Sequence, residues 1–453
     1  MSNWTTSKLS DVIEIIGGGT PKRSENKYWN GDIPWLSVAD FNNDFRYVND
    51  SIEHITELGL QKSSTKLLDK DHLIISARGT VGCLAQLSVP MAFNQSCYGL
   101  NGKEGIIDNG FLYYFLKNNI SELKQKTHGA VFDTITRDTF EHIQISYPDL
   151  GTQKGIAKNL GSFDDKIQLN TQINQTLEQI AQALFKSWFV DFDPVRAKAQ
   201  ALSDGLSLEQ AELAAMQAIS GKTPEELTAL SQAQPDRYAE LAETAKAFPC
   251  EMVEVDGVKV PKGWEVKELG SLMTIKRGGS PRPIKDFISD KGLNWVKISD
   301  ATAEDNPFLF STKEYIKSEG LSKTVLLKKG SLILSNSATP GLPRFLELDA
   351  CIHDGWLYFS DIKSLTQEYL YFFFLNIRND LVAQGNGSVF TNLKTDIVKA
   401  QKAIVPDERA ICYFDKQVKS IMNLIKYNTA NSISLKETRD LLLPRLLNGE
   451  LNG

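Results

Sequence analysis

Histidine and cysteine are scarce in this chain, with five of each among 453 residues. Cys83, Cys97, Cys250, Cys351 and Cys412 form no Cys-x-x-Cys pair and are odd in number. That excludes a disulfide framework and a structural zinc site, and it fits a reducing cytoplasm. No histidine stands at ligand or triad spacing from Cys, Asp or Glu, so neither a metal ion nor a catalytic residue is expected. The start, Met1-Ser2-Asn3-Trp4-Thr5, lacks the basic-then-apolar pattern of a signal peptide. The most apolar run, Tyr369 to Leu375, falls far short of the roughly 20 residues a membrane span needs. An excess of positive charge is missing too: 50 Lys and Arg against 56 Asp and Glu give a net charge of −6. Any nucleic-acid contact must therefore come from local basic patches or with the help of partners. With 42% hydrophobic and 23% charged residues, the chain is globular and of two or more domains.

What the sequence does have is a long heptad. Ile156, Phe163, Asn170, Leu177 and Leu184 recur every seven residues, and Leu160, Ile167, Asn174, Ala181 and Trp188 follow each by four. This spacing predicts a long helix over Gln153 to Trp188 whose seam faces a partner helix. The partner lies in the same chain: Phe414, Ile421, Asn428, Leu435 and Leu442, with Val418, Ile425, Ser432, Arg439 and Leu446, repeat the pattern. The polar break Asn170-Thr171 returns as Asn428-Thr429. A polar seam residue costs stability and fixes register. Phe163, Ile167, Asn170 and Leu177 are thus expected to pack against Ile421, Ile425, Asn428 and Leu435. A seam shared with a second chain is the other geometry this pattern allows.

The helices belong to a larger repeat. Trp4 and Leu9 return as Trp264 and Leu269, Gly19-Thr20-Pro21 as Gly279-Ser280-Pro281, and Trp35 as Trp295. Farther along, Ser76 matches Ser335, Leu112-Tyr113 matches Leu370-Tyr371, Gly129 matches Gly387, Phe132 matches Phe390 and Pro148-Asp149 matches Pro406-Asp407. One domain has been copied, each copy followed by a long helix. Val12 to Ile16, Leu73 to Ser76 and Ile143 to Tyr147 read as strands and Phe111 to Leu123 as a helix. Met273 to Ile275, Leu332 to Ser335, Ala403 to Val405 and Tyr369 to Leu381 are their counterparts. Between the copies, Val195 to Phe248 is rich in Ala, Glu, Gln and Leu. Ser207-Leu208-Glu209-Gln210 and Thr223-Pro224-Glu225-Glu226 are capping boxes, so two or three short acidic helices are expected there as a spacer.

Two patterns invite an enzymatic reading and fall short of one. Pro148-Asp149 with Asp164-Asp165-Lys166 has the loose form of a Mg²⁺-dependent nuclease site. Asp164 and Lys166, however, lie on the heptad helix, off its seam and facing water, and the second copy keeps only Pro406-Asp407. Asp32-Ile33-Pro34-Trp35 lacks one proline of the Asp/Asn-Pro-Pro-Tyr loop of adenine methyltransferases, so Trp35 reads as a core anchor after a turn. Gly17-Gly18-Gly19-Thr20 fits neither standard nucleotide-binding glycine loop.

Polar loops suited to DNA remain. Glycines allow close backbone approach to phosphates, which Lys and Arg neutralise. Arg, Asn and Gln make bidentate contacts with guanine and adenine edges. In the first copy the candidates are Thr20, Lys22, Arg23, Arg78, Thr80, Asn94 and Gln95. In the second they are Lys276, Arg277, Arg282, Asn336, Ser337, Arg344, His353 and Asp354. Scaffold positions repeat while the tips differ, as two domains reading two different short sequences require.

The run Leu160-Gly161-Ser162-Phe163-Asp164-Asp165-Lys166-Ile167, then Asn170, Asn174, Leu177-Glu178 and Leu184 through Pro194, resembles the central helical region of specificity subunits of type I restriction-modification enzymes. Arg439 to Leu451 is similar to that family's C-terminal region. Gly18-Gly19-Thr20-Pro21, Ile33-Pro34-Trp35 and Ser76-Ala77-Arg78-Gly79 resemble its first target-recognition domain. The second recognition domain departs most, lacking the Arg-Gly after its strand. The resemblance implies an α+β protein with two repeated target-recognition domains separated by a long antiparallel two-helix coiled coil. Its parts would be a recognition domain over 1–150, a spacer helix over 151–194 and an acidic helical linker over 195–250. A second recognition domain over 251–406 and a C-terminal spacer helix over 407–453 would follow. It further implies a non-catalytic, cytoplasmic subunit, bacterial or archaeal, that reads a split double-stranded DNA target. Two methyltransferase subunits would dock on it, holding S-adenosylmethionine, and motor-nuclease subunits would carry ATP and Mg²⁺; the chain itself would bind no cofactor. Phe185, Trp188, Phe189 and Phe192 are the expected methyltransferase-docking surface. A self-sufficient nuclease or methyltransferase and a coiled-coil protein-binding adaptor are the alternatives.

Overall fold

The computed structural model describes residues 4–125, 134–255, 257–303, 305–385 and 392–451. Repeat partners Gly129 and Gly387, and Phe132 and Phe390, lie outside the described residues. The chain divides into two compact units, residues 1–172 with 431–453, and residues 173–430.

The first unit is built on a five-stranded sheet in the order Ile13–Gly17, Cys97–Gly102, Leu73–Ser76, Leu84–Leu87, Tyr47–Val48. Its central strand is buried at every residue, as a short apolar run covered on both faces must be. The expected strand start at Val12 is displaced because Leu9–Val12 first makes a helical turn that buries Leu9 and Val12. A second sheet orders His54–Ile55, Trp29–Leu36, Met91–Phe93 and Leu67–Leu68. Trp35 sits in it, 3% exposed. Thr5–Lys8 pairs antiparallel with Gln144–Tyr147 and closes the domain. The helix expected over Phe111 to Leu123 is two, Asn109–Asn118 and Ile120–Gln125. Asp108 caps the first by accepting from the Phe111 amide at 3.1 Å.

The second unit repeats this plan. Its first sheet orders Thr274–Arg277, Trp356–Ser360, Leu332–Ser335, Pro343–Leu346 and Phe308–Leu309, strand for strand as in the first unit. Glu265–Glu268 pairs with Lys402–Val405 just as Thr5–Lys8 pairs with Gln144–Tyr147. The covering helix is Gln367–Gly385.

Two helices of 40 residues, Leu150–Phe189 and Glu408–Leu447, run through both units. At 1.5 Å per residue each is about 60 Å long. They pair within this chain and antiparallel. In the first unit Asn170 Nδ2 donates to Asn431 Oδ1 at 3.0 Å and to the Ser432 hydroxyl at 3.1 Å. In the second, Asn428 Nδ2 donates to Asn174 Oδ1 at 3.0 Å, and Asn174 Nδ2 to the Thr429 hydroxyl at 3.1 Å. Each of the two equivalent asparagines, Asn170 and Asn428, thus meets residues of the opposite helix. Antiparallel packing sets each opposite the residue that follows the partner's seam position by four. Ile167, Asn170, Ile425 and Asn428 are buried, while Phe163, Leu177, Ile421 and Leu435 are half-buried.

One flank of the first helix departs from expectation. Asp164 does not face water: it is 5% exposed, ion-paired with Arg439, and accepts from the Tyr114 hydroxyl at 2.6 Å. A third element, the helix Asn109–Asn118, covers the side that a two-helix pattern leaves open. Lys166 is exposed, as expected.

The spacer is four helices rather than two or three: Asp193–Ser203, Leu208–Ser220, Pro224–Ala233 and Pro235–Lys246. Ser207 and Thr223 form the capping boxes their sequences announced. Phe192 takes a left-handed φ of +58°, turning the chain out of the long helix before Pro194 enters the first turn of the next. Lys198, 2% exposed, donates to the carbonyls of Ala245 and Phe248 at 2.8 and 2.7 Å. A cation at the carbonyl end of the last spacer helix is a favourable placement.

Candidate nucleic-acid interface

In the first unit three separated segments converge at the ends of the sheet strands. The Gly19 amide donates to the Phe93 carbonyl at 3.0 Å. Thr20 donates to Gln95 Oε1, and the Arg78 amide to the Ser96 carbonyl at 3.2 Å. The glycines are a packing requirement. A Cβ on Gly18 would lie 2.1 Å from the Asn94 carbonyl oxygen, and one on Gly19 would lie 2.4 Å from the Thr65 amide. Buried Trp35 secures the loop from below, its indole donating to the Gly19 carbonyl at 3.0 Å. Lys22, Arg23, Arg78, Thr80 and Gln95 are exposed on this cluster, with Asn94 half-buried. The hairpin tip Ala77–Gly82 is tied by the Ser76 hydroxyl, which donates to the Thr80 carbonyl at 2.5 Å, and Gly79 supplies a φ of +76°.

The second unit builds the same cluster. A Cβ on Gly278 would lie 2.4 Å from the His353 carbonyl oxygen, and one on Gly279 would lie 2.7 Å from that of Lys323. Ser335 ties the tip by donating to the Thr339 carbonyl. Ala338 holds the left-handed position with φ +56° where the first unit has Gly79, a conformation costing about 1 kcal/mol for a residue with a Cβ. Lys276, Arg277 and Arg282 are exposed. Asp354 is the hub: its carboxylate accepts from the Ser280 hydroxyl at 2.6 Å and from Arg282 Nη2 at 3.3 Å. Its carbonyl accepts from Arg277 Nε and Nη2 at 3.1 and 2.8 Å. The Ser280 hydrogen bond holds the Asp354 carboxyl below its ordinary range. Ser337 is half-buried at the tip.

Four expectations need correction. Arg344 is buried, its Nε donating to the Ala301 carbonyl at 3.2 Å, so it is an internal strut and cannot touch DNA. Asn336 is 1% exposed and reaches inward to the Asp354 carbonyl at 3.2 Å. It shapes the tip and reads nothing directly. His353 is half-buried, its Nδ1 accepting from the Gly355 amide at 2.7 Å. Burial lowers its pKa and keeps the ring neutral, so only its far edge is available.

The largest correction concerns the aromatic run. Phe185, Trp188, Phe189 and Phe192 are each 5% exposed or less. They pack against Tyr369, Phe414, Phe248 and Trp264 at ring-centroid separations of 5.0 to 6.1 Å. They are the core of the second unit and offer no docking surface. Trp188→Ala is accordingly expected to destabilise that unit by about 3–5 kcal/mol. Urea unfolding followed by hydrogen exchange in the second unit checks it; a loss below about 1 kcal/mol would return Trp188 to the surface. The sequence missed Glu53 and Trp29, which hold Arg23. The repeat carried no sign of either, because the second unit binds its arginines through a different segment.

Among the described residues no group of His, Cys, Asp and Glu is placed to hold a metal ion, and no helix is long and apolar enough to cross a membrane. Residues 1–179 and 261–435 match the type I restriction modification DNA specificity domain. The chain belongs to that family. It is similar to the type I restriction enzyme HindI specificity subunit of Haemophilus influenzae, 46% identical over 367 residues, covering 75% of this chain and 77% of that protein. It is also similar to the MjaIX specificity subunit of Methanocaldococcus jannaschii, 25% identical over 460 residues, covering 99% and 94%. Among solved structures, the type I restriction-modification S subunit from M. genitalium shares the fold, with a TM-score of 0.54 at 14% identity over 98% of this chain and 96% of that one. As a member of the specificity-domain family the chain is a non-catalytic subunit concerned with DNA-target recognition.

Proposed function

We propose that this chain reads a two-part double-stranded DNA target, one part with the loop cluster of each unit, and docks two methyltransferase subunits and motor-nuclease subunits. S-adenosylmethionine belongs in this reading to the methyltransferases, and ATP and Mg²⁺ to the motor-nuclease. The observation that carries it is one scaffold used twice with different tips. The two sheets share a strand order and the hairpin ties of Ser76 and Ser335. The residues between those ties are Ala77-Arg78-Gly79 in one unit and Asn336-Ser337-Ala338 in the other. A protein needing the same contact twice would have kept the tips alike.

For partner docking, the support lies in large apolar side chains left exposed on the long helices. Leu169 and Leu441 are 47% and 72% exposed in the first unit, and Ile180, Leu424 and Tyr427 are 51%, 45% and 68% exposed in the second. Burying these side chains against a partner would remove apolar surface from water, which favours association. The acidic balance is consistent with partners that share the work of neutralising phosphates.

Cells carrying this chain with its methyltransferase are expected to show methylated adenines in a motif of two short specific parts around an unread gap. An undivided motif would overturn the reading, as would cleavage or methylation by the purified chain alone.

A further inference from the structure

Each loop cluster holds an acid where a DNA-binding surface would gain from a base. In the first unit that acid is Glu53 and in the second Asp354. Glu53 takes both terminal nitrogens of Arg23, Nη1 with one carboxylate oxygen and Nη2 with the other at 2.9 Å. The face of the same guanidinium lies 4.0 Å from the Trp29 ring and 5.0 Å from the Trp35 ring. One edge and one face of Arg23 are thereby fixed, and the Nε–Nη2 edge is the one left to meet a ligand. Glu53 is held below the usual carboxylate range by its hydrogen bond with Arg23. In the second unit Arg277 is gripped on its Nε–Nη2 edge by the Asp354 carbonyl, and its terminal edge is the one left. Arg282 meets the Asp354 carboxylate.

Stability does not explain these pairs. The Arg23 and Glu53 side chains are 55% and 41% exposed, and exposed ion pairs contribute only about 0–1 kcal/mol. Non-specific affinity does not explain them either. A carboxylate beside a loop that faces phosphates cancels one of the charges that counterion release depends on. What the acid gives is geometry: a long, flexible side chain is held in one rotamer with a single donor edge presented. Bidentate reading of guanine O6 and N7 requires that.

Resting on the DNA-reading role proposed above, we propose that Glu53 and Asp354 are specificity-determining residues that act by positioning. Glu53 aims Arg23, and the Asp354 carboxylate aims Arg282, at guanines in their respective half-sites, while Arg277 is held by the Asp354 backbone carbonyl and not by the side chain. The arginines touch the bases, and the carboxylates act through them.

The test uses the full chain assembled with its methyltransferase and a pool of DNA duplexes with randomised positions. Bound sequences are counted, and affinity is then measured across a salt series on one selected and one unrelated duplex. Glu53→Gln keeps the size of the side chain and removes the charge. It is expected to reduce the guanine preference at one position of one half-site about tenfold and leave the other half-site unchanged. The released arginine becomes free to meet phosphate, so the slope of log affinity against log salt on the unrelated duplex steepens by about one. Asp354→Asn is expected to do the same in the other half-site. Unchanged base frequencies in either variant overturn the assignment of that carboxylate. A uniform loss of affinity in both half-sites, with no change of salt slope, overturns it in favour of a merely structural role. A wild-type complex that selects no sequence sinks the DNA reading itself, which separates that failure from this one.

Discussion

Replacing Arg439 by methionine is expected to destabilise the first unit by about 3–5 kcal/mol, because it strands a buried carboxylate. Asp164 and Arg439 are 5% and 9% exposed and face each other across the helix pair. Lys117 lies 3.9 Å from Asp164, too far to hydrogen-bond in place of the guanidinium. Its own pKa is already lowered by burial, so a further approach would deepen that cost. The Tyr114 hydroxyl supplies one hydrogen bond and no charge. The double variant Asp164→Leu with Arg439→Met removes both charges. Its remaining penalties are the Tyr114 hydroxyl without an acceptor, about 1–3 kcal/mol, and Lys117 without its anionic neighbour. Burial already lowers the Lys117 pKa, so that side chain can shed its proton. The double variant should therefore be more stable than Arg439→Met alone. Urea unfolding monitored by hydrogen exchange in Leu73–Ser76 and Asn109–Asn118 provides the measurement. A double variant no better than the single one would show that lost packing, and not uncompensated charge, is the cause.

This lock also shows where sequence reasoning stopped. The heptad fixed which residues line a two-helix seam, because period alone decides that, and Ile167, Asn170, Ile425 and Asn428 are buried accordingly. Period says nothing of a third element packed on the flank. The period therefore predicts a solvated Asp164 and the family resemblance an open aromatic surface after Leu184, although both are covered by other elements of their own units. Similarly, the repeat located the loop clusters, since glycines with no room for a Cβ recur at Gly18, Gly19, Gly278 and Gly279. It could not sort exposed readers from internal struts. Arg344 and Arg23 are the same residue type, and the packing around them separates a buried strut from a presented side chain.

The second large effect tests the proposal that the two long helices act as rods that set the gap between the half-sites. Inserting one heptad after Gln172 and another after Ala430 leaves intact the polar contacts on either side, Asn170 with Asn431 and Asn174 with Asn428. Seven residues add about 10.5 Å at 1.5 Å per residue, equivalent to about three base pairs at 3.4 Å each. The variant is therefore expected to prefer a gap about three base pairs longer, with the bases of both half-sites unchanged. Its affinity should also fall. Three base pairs turn the duplex by roughly 100°, at about 10.5 per turn, whereas a heptad keeps the helical seam in phase and does not follow that rotation. The mismatch has to be absorbed by twisting DNA or protein. Three heptads add about 32 Å, which is nearer to one full turn of the duplex. That variant should recover affinity with a gap nine or ten base pairs longer. Methylated-adenine mapping in cells carrying each variant reads both outcomes. A heptad in only one helix puts the seam out of register with its partner and should abolish methylation. If a heptad in both helices left the gap at its original length, the rods would not be setting the distance.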